Sequence, residues 1–179
     1  PVEVPEEPWA NLGLDFAGLF DLLSAAERYV LLLVDYTSKW VVTKCVSKVN
    51  TKVVIEFLRE EFTREGVPRT IVTDNSVQFV SREMHEVLAK LSIEHLRTAL
   101  YIPQANGLAE RMNRVVKDCV QRAVNERESL SSVLGETSRA HRVSPNSITL
   151  TSLFQVLRGR VPCSKLNRAW LRLHATKCK

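Results

Sequence analysis

Three acidic residues stand at positions where a carboxylate has a chemical use. Asp15 interrupts an otherwise apolar strand-like run, and a buried ionised carboxylate is costly unless it is paired or bound to a metal. Asp74 follows a short β-branched run, at the kind of strand end where ligand-binding crevices form in α/β sheets. Glu110 lies in the first turn of a predicted helix, where a carboxylate complements the helix dipole. All three are therefore candidate site residues.

Each of these acids also has a plain structural interpretation. Asp15 could lie on an exposed strand face, and Asp74 with Asn75 could form an ordinary turn. Glu110 could serve helix electrostatics alone. A fourth acid, Asp35, ends a predicted hairpin strand and is better interpreted as a turn residue. Residue type and position leave these alternatives open.

The hydrophobic pattern predicts the elements that must hold these side chains. The chain reads as three strands, then alternating helices and strands, then two weaker helices. This order is typical of a mixed α/β sheet that begins as an antiparallel meander and continues through crossover helices. The predicted strands cover 12–17, 29–35, 39–44, 69–73 and 93–96, and the predicted helices cover 50–66, 81–90, 107–126, 129–141 and 150–158, with a loop over 98–106.

Composition and charge indicate one globular domain and argue against a membrane-spanning protein. The 179 residues are 45% hydrophobic and 25% charged, which suits one globular domain. No apolar run approaches the roughly 18 residues that a membrane helix needs, so we expect no membrane partner. Four cysteines without a C-x-x-C pair suggest reduced thiols in an intracellular protein. Nine bases and no acid follow Glu136, which is typical of either a nucleic-acid footprint or a solvated surface.

Spacing and local sequence words connect the three candidate acids. Between Asp15 and Asp74 lie 58 residues, and between Asp74 and Glu110 lie 35. Together with the flanking words, this pattern resembles the catalytic core of retroviral and retrotransposon integrases, most closely the Ty3/gypsy type. The words are LDFAG at 14–18, VDYTSKW at 34–40, IVTDN at 71–75 and YIPQANGLAER at 101–111.

The resemblance divides the chain into three parts. Residues 1–8 would be a linker, residues 9–127 the integrase catalytic core, and residues 128–179 a helical and basic extension of the core. The implied fold is α/β and RNase H-like, with a five-stranded mixed sheet flanked by helices. The family also implies binding to DNA, assembly as a homodimer or higher multimer, and a nuclear location.

The resemblance further implies a reaction. Asp15, Asp74 and Glu110 would be an acidic triad that holds two Mg²⁺ ions, for which Mn²⁺ can substitute. Such a pair of ions serves an in-line displacement at phosphorus. The implied function is polynucleotidyl transfer, in which DNA 3′-ends are processed and joined to a target strand, together with endonuclease activity.

Polar residues around the third acid are candidate DNA contacts. Arg114 and Lys117 share the helix face of Glu110, beside the implied metal site. The alternative is ordinary surface pairing between Glu110 and Arg114 at i,i+4 spacing. Gln104 and Asn106 fall in the word that resembles the flexible catalytic loop of the family.

Three departures from the family pattern favour a second hypothesis. Ser76 stands where glycine is usual, and it would strain the turn by roughly 1 kcal/mol if that position needs a positive φ. Ile102 replaces a usual histidine, and Leu108 replaces a common polar residue. The second hypothesis is a domesticated core that is catalytically weak or inactive and acts as a DNA-binding or protein-interaction module.

Overall fold

Five strands form one mixed sheet in the computed structural model, which describes residues 7–97, 103–144 and 151–161 and, within 103–110, the backbone alone. The strands are β1 (Asn11–Gly18), β2 (Tyr29–Asp35), β3 (Val41–Val46), β4 (Thr70–Thr73) and β5 (Glu94–Arg97). Their order in the sheet is β3-β2-β1-β4-β5. The first three strands pair antiparallel, whereas β4 pairs parallel with β1 and β5 pairs parallel with β4.

In the described part of the chain, two helices alternate with the last strands and three follow them, in the predicted order. They are α1 (Thr51–Glu65), α2 (Arg82–Lys90), α3 (Pro103–Glu126), α4 (Leu130–Val143) and α5 (Leu153–Arg158), with a short 3₁₀ turn at Ala25–Glu27. Asn50 caps α1 by accepting a hydrogen bond from the Val53 N–H at 2.9 Å. Ser81 caps α2 through the Met84 N–H at 3.2 Å. The predicted five-stranded mixed sheet flanked by helices is confirmed.

Strand β2, between β3 and β1, is buried on both faces, and alternate side chains enter two hydrophobic clusters. Leu31 and Leu33 join the cluster beneath α1, α2 and α5, whereas Leu32 joins the cluster beneath α3 and α4. On β1, Leu12 and Leu14 face the first cluster. Because side chains alternate along a strand, Gly13 and Asp15 face the side on which α3 lies.

Helix α3 corrects two sequence expectations. It begins at Pro103, not at 107, so Gln104 and Asn106 lie in its first turns and not in a loop. Proline is well suited to the first turn of a helix because its missing N–H has no intrahelical partner there. Of its apolar side chains, Val115 and Val120 are only partly buried. The fully buried stripe is Met112, Val116, Cys119 and Ala123.

Among the described residues, no helix has both the length and the apolar character needed to cross a membrane. Ile102, one of the three departures from the family pattern, lies outside the described residues. The side chains of Leu108 and Glu110 do so as well.

Candidate active site

Two of the three candidate carboxylates meet at one edge of the sheet. Strands β1 and β4 are parallel neighbours, with Gly13 opposite Val72. Asp15 and Asp74 each follow these paired residues by two positions. The pairing ends with that pair and Asp74 lies one residue beyond β4, but its carboxylate is near enough for its charge to raise the pKa of Asp15. The fold therefore brings near each other two acids that 58 residues separate in the sequence.

The Asp15 carboxylate is half-buried and incompletely stabilised. Its Oδ1 accepts a hydrogen bond from the Phe16 N–H at 2.7 Å, and its Oδ2 accepts one from Asn113 Nδ2 at 3.1 Å. Burial raises the pKa of Asp15, and the negative charge of Asp74 raises it further, although the two hydrogen bonds oppose the shift. A nearby cation would offset both causes.

Asn113 is a site residue that the sequence reasoning missed. It lies on α3, and its amide is the contact that ties this helix to Asp15. The amide oxygen Oδ1 is buried and has no hydrogen-bond partner among the described residues. Its position three residues after Glu110, one helical turn away, was the available signal.

Ser76 donates two hydrogen bonds to the Asp74 carboxylate, and its backbone lacks the strain that the sequence predicts. Its N–H donates to Asp74 Oδ1 at 2.9 Å, and its hydroxyl donates to Asp74 Oδ2 at 2.8 Å. Ser76 is not among the non-glycine residues with positive φ. The predicted strain at this position is therefore wrong, because the turn closes with ordinary backbone geometry and a side-chain bond to Asp74.

Tyr36 closes one side of the site. A Cβ on Gly13 would lie 2.7 Å from the Tyr36 hydroxyl oxygen, so only glycine lets the tyrosine lie over β1 at this point. Burial raises the pKa of Tyr36, and the charge of Asp15 adds to the shift. The ring thus lies on the Asp15 side of the sheet and contributes to the burial of this edge.

The helix that carries the third acid runs past the same edge. Glu110 lies on α3, one turn before Asn113, and its side chain is outside the described part of the chain. The same holds for the side chains of Gln104 and Asn106. Arg114 and Lys117 are exposed, and among the described residues no carboxylate lies within ion-pair distance of either.

The donor set at this edge consists of oxygen atoms. Among the residues whose side chains are described, no group of three histidine, cysteine or acidic side chains surrounds a common metal position. Asp15, Asp74 and the partnerless Oδ1 of Asn113 nevertheless offer carboxylate and amide oxygens, the hard ligands that Mg²⁺ prefers. Their chemistry fits such an ion, with a third carboxylate left to the part of α3 whose side chains are outside the description.

Comparison with known proteins identifies the fold and the family. Residues 14–103 match the integrase core domain. The Gag-Pol polyprotein of feline leukemia virus is 33% identical over 138 residues, which cover 75% of this chain. An uncharacterized protein, K02A2.6, of Caenorhabditis elegans is 31% identical over 147 residues, or 82% of this chain. The chain spans 8% and 11% of the lengths of these two relatives, respectively.

Two solved structures share the architecture. A chain of the simian T-cell lymphotropic virus intasome superposes with a TM-score of 0.76 at 18% identity, covering 92% of this chain and 61% of that one. The HTLV-2 integrase catalytic core domain, solved with magnesium in a trimeric form, gives a TM-score of 0.67 at 19% identity. That match covers 84% of this chain and 97% of the viral domain. The predicted RNase H-like fold is therefore confirmed, and the chain belongs to the integrase core family of retroviral and retrotransposon Pol proteins.

Proposed function

We propose that this chain is the catalytic core of a DNA integrase that performs metal-dependent polynucleotidyl transfer. The substrate is a DNA 3′-end, which the core processes and joins to a target strand. The observation that carries the proposal is the Asp15–Asp74 pair at the edge of the sheet, where burial and like charge both raise the pKa of Asp15. A cation beside such a carboxylate would stabilise its ionised form and offset both causes of the raised pKa.

The residues have distinct roles in the proposed reaction. Asp15 on β1, Asp74 after β4 and Glu110 on α3 would hold the cations through their carboxylate oxygens. Bound Mg²⁺ or Mn²⁺ would activate the attacking oxygen and stabilise the leaving oxygen of an in-line displacement. The Asn113 amide orients Asp15 by donating to its Oδ2, and the Ser76 hydroxyl donates to Oδ2 of Asp74.

Bond changes in the transfer step balance without a protein nucleophile. The 3′-hydroxyl oxygen of one DNA end attacks a phosphorus of the target strand. One P–O bond forms and another breaks, and the leaving 3′-oxygen departs from the side opposite the attack. The attacking hydroxyl loses its proton to solvent, and the leaving oxygen takes one up from solvent. The protein therefore needs to hold the reacting groups in line, and a rigid sheet edge suits this task.

The position of Glu110 supports its inclusion. Glu110 and Asn113 are three residues apart on α3, so the two positions lie on the helix face that contacts Asp15. Further along α3, the exposed Arg114 and Lys117 suit contacts with DNA phosphates. We propose Gln104 and Asn106, in the first turns of the helix, as additional DNA contacts.

Assembly and location complete the proposal. We propose that the core works as a homodimer or higher multimer on DNA ends in the nucleus. The trimeric form named for the HTLV-2 domain and the intasome named for the simian virus protein support an assembled state. A sedimentation experiment with and without a DNA end tests it.

The decisive experiment is a strand-transfer assay on a labelled DNA end with Mn²⁺. Wild type should give joined products, and Asp74→Asn should lower the rate at least about 100-fold, because a neutral amide holds a cation more weakly than a carboxylate does. Asp118→Asn, on the exposed part of α3, is the matched control and should keep wild-type activity. Binding of DNA without any transfer by the wild type would favour the second hypothesis, a binding module.

DNA contact is tested separately by salt dependence. Lys117→Gln should weaken binding to all DNA sequences and reduce the slope of log K against log salt by about 1, as expected for one lost phosphate contact. Lys90→Gln, at the end of α2, is a charge-matched control that should leave the slope unchanged. An equal slope for wild type and Lys117→Gln would place DNA elsewhere.

A further inference from the structure

Ser76 is the sole described donor to the Asp74 carboxylate. Its backbone N–H binds Oδ1 at 2.9 Å and its hydroxyl binds Oδ2 at 2.8 Å, so one residue holds both oxygens. Asp74 itself is exposed. An exposed aspartate without such contacts samples several rotamers, and ordering it opposes the binding of a ligand.

The two bonds leave the carboxylate able to bind a cation. An ionised carboxylate offers about four lone-pair positions on its two oxygens. Ser76 occupies one position on each oxygen, and the remaining ones stay open. The arrangement therefore fixes the orientation of Asp74 and keeps free acceptor positions for a metal.

The hydroxyl is the part of this arrangement that depends on the residue type. Any residue except proline would supply the N–H that binds Oδ1, but only serine or threonine supplies the hydroxyl that binds Oδ2. The turn holds Ser76 outside the positive-φ region, so its side chain adds this bond without a strained backbone. Glycine at the same position would lose the bond.

We propose that Ser76 is a positioning residue that orients the Asp74 carboxylate for divalent-cation binding and thereby raises the metal affinity of the site. The inference rests on the proposed function, since it concerns the same metal site. It reverses the sequence expectation that serine weakens the site. Hydrogen-bond partners of metal ligands commonly contribute 10- to 100-fold to metal affinity.

The test measures Mn²⁺ affinity of the full chain by calorimetry and by the electron paramagnetic resonance signal of free Mn²⁺. Ser76→Ala and Ser76→Gly should each bind Mn²⁺ about 10-fold more weakly than wild type. Ser76→Thr keeps a hydroxyl and should stay within about 2-fold of wild type. The exposed Ser132→Ala on α4 is the control for loss of a serine hydroxyl and should bind as wild type does.

Melting temperature without metal separates positioning from folding. All four variants should melt close to wild type, because the Ser76 hydroxyl bonds only to an exposed side chain among the described residues. Wild-type Mn²⁺ affinity in both Ser76→Ala and Ser76→Gly would overturn the proposal. Equal weakening in Ser76→Thr and Ser76→Ala would also overturn it, because the hydroxyl would then have no role.

A further variant distinguishes this inference from the proposed function. If Asp74→Asn loses Mn²⁺ binding while Ser76→Ala keeps it, the metal site stands and the role of Ser76 is wrong. If the wild type binds no Mn²⁺, or if Asp74→Asn binds it equally well, the proposed metal site is wrong and the role of Ser76 is wrong with it.

Discussion

Asp15 and Asp35 lie on neighbouring strands of one sheet, and their carboxylates differ in burial and in how far hydrogen bonds compensate for it. Asp35 ends β2 and is fully buried. It accepts hydrogen bonds from the N–H groups of Thr37 and Ser38 and from the Ser38 hydroxyl. Asp15 accepts one backbone and one amide hydrogen bond, and a second carboxylate lies close enough to raise its pKa.

The difference between the two aspartates separates a structural acid from a functional one. The carboxylate of Asp35 closes the β2–β3 turn and has its acceptors occupied by the turn itself. Asp15 is buried with less compensation, and this costs free energy in the absence of a cation. Strain of this electrostatic kind is common where a protein binds a metal or a substrate. The comparison predicts opposite responses to mutation at the two positions.

The largest effect should come from removal of the structural acid. Asp35→Ala leaves the buried N–H and hydroxyl donors of Ser38 without their acceptor, and we expect a loss of about 3 kcal/mol of unfolding free energy. That corresponds to a fall in Tm of about 6–12 °C for a chain of this size. Thermal unfolding followed by circular dichroism measures it.

Asp118→Ala, an exposed acid on α3, is the control for Asp35→Ala and should change Tm by no more than about 2 °C. If Asp35→Ala melts as the control does, the two aspartates do not differ in the proposed way.

An intermediate effect should follow from removal of the amide that orients Asp15. Asn113→Ala should lower Mn²⁺ affinity and strand-transfer rate by about 10- to 100-fold, because Asp15 loses its only described side-chain donor. Asn125→Ala, an exposed asparagine on the same helix, should have no effect on either quantity. Unchanged metal affinity in Asn113→Ala would show that Asp15 needs no orienting partner.

The smallest effect concerns the stability of the metal-free protein. The folded-state pKa of Asp15 is raised, so the stability that this group contributes is fully present below its unfolded pKa and is lost as pH rises through the folded pKa. At pH 7 Asp15→Asn should therefore melt about 2–4 °C above wild type, or about 1 kcal/mol. Near pH 4 the difference should shrink.

Thermal unfolding of both proteins at the two pH values, in the presence of a chelator, measures this difference. Addition of Mn²⁺ should raise the Tm of the wild type and leave that of Asp15→Asn unchanged. An equal gain at both pH values would mean that the charge of Asp15 does not cause it.

Local sequence was sufficient to predict most of the elements. Strand β2 was predicted at its observed bounds, because a short apolar run between polar turns has few alternatives. The starts of α1 and α2 were predicted to within one residue, because each start depends on a cap side chain, Asn50 or Ser81, and a backbone N–H three residues away. Asp35 was correctly interpreted as a turn residue for the same reason, since its partners are its neighbours.

Tertiary structure decided the features that depend on distant residues. The start of α3 at Pro103 and the burial of Val116 depend on how the helix packs against the sheet, which the apolar pattern alone does not specify. Whether Asp15 is exposed or buried was open in the sequence, and it is the packing of α3 with Asn113 that partly buries it. The bond from Ser76 depends on the observed path of the turn after β4.

The sequence by itself determined the order of elements, the family and the identity of the candidate acids, because these follow from local patterns and characteristic words. The tertiary structure decided the electrostatic state of those acids. Desolvation and charge repulsion depend on what surrounds a carboxylate within a few ångströms. For Asp15 those surroundings come from β4 and α3, which are remote in sequence and meet only in the folded chain.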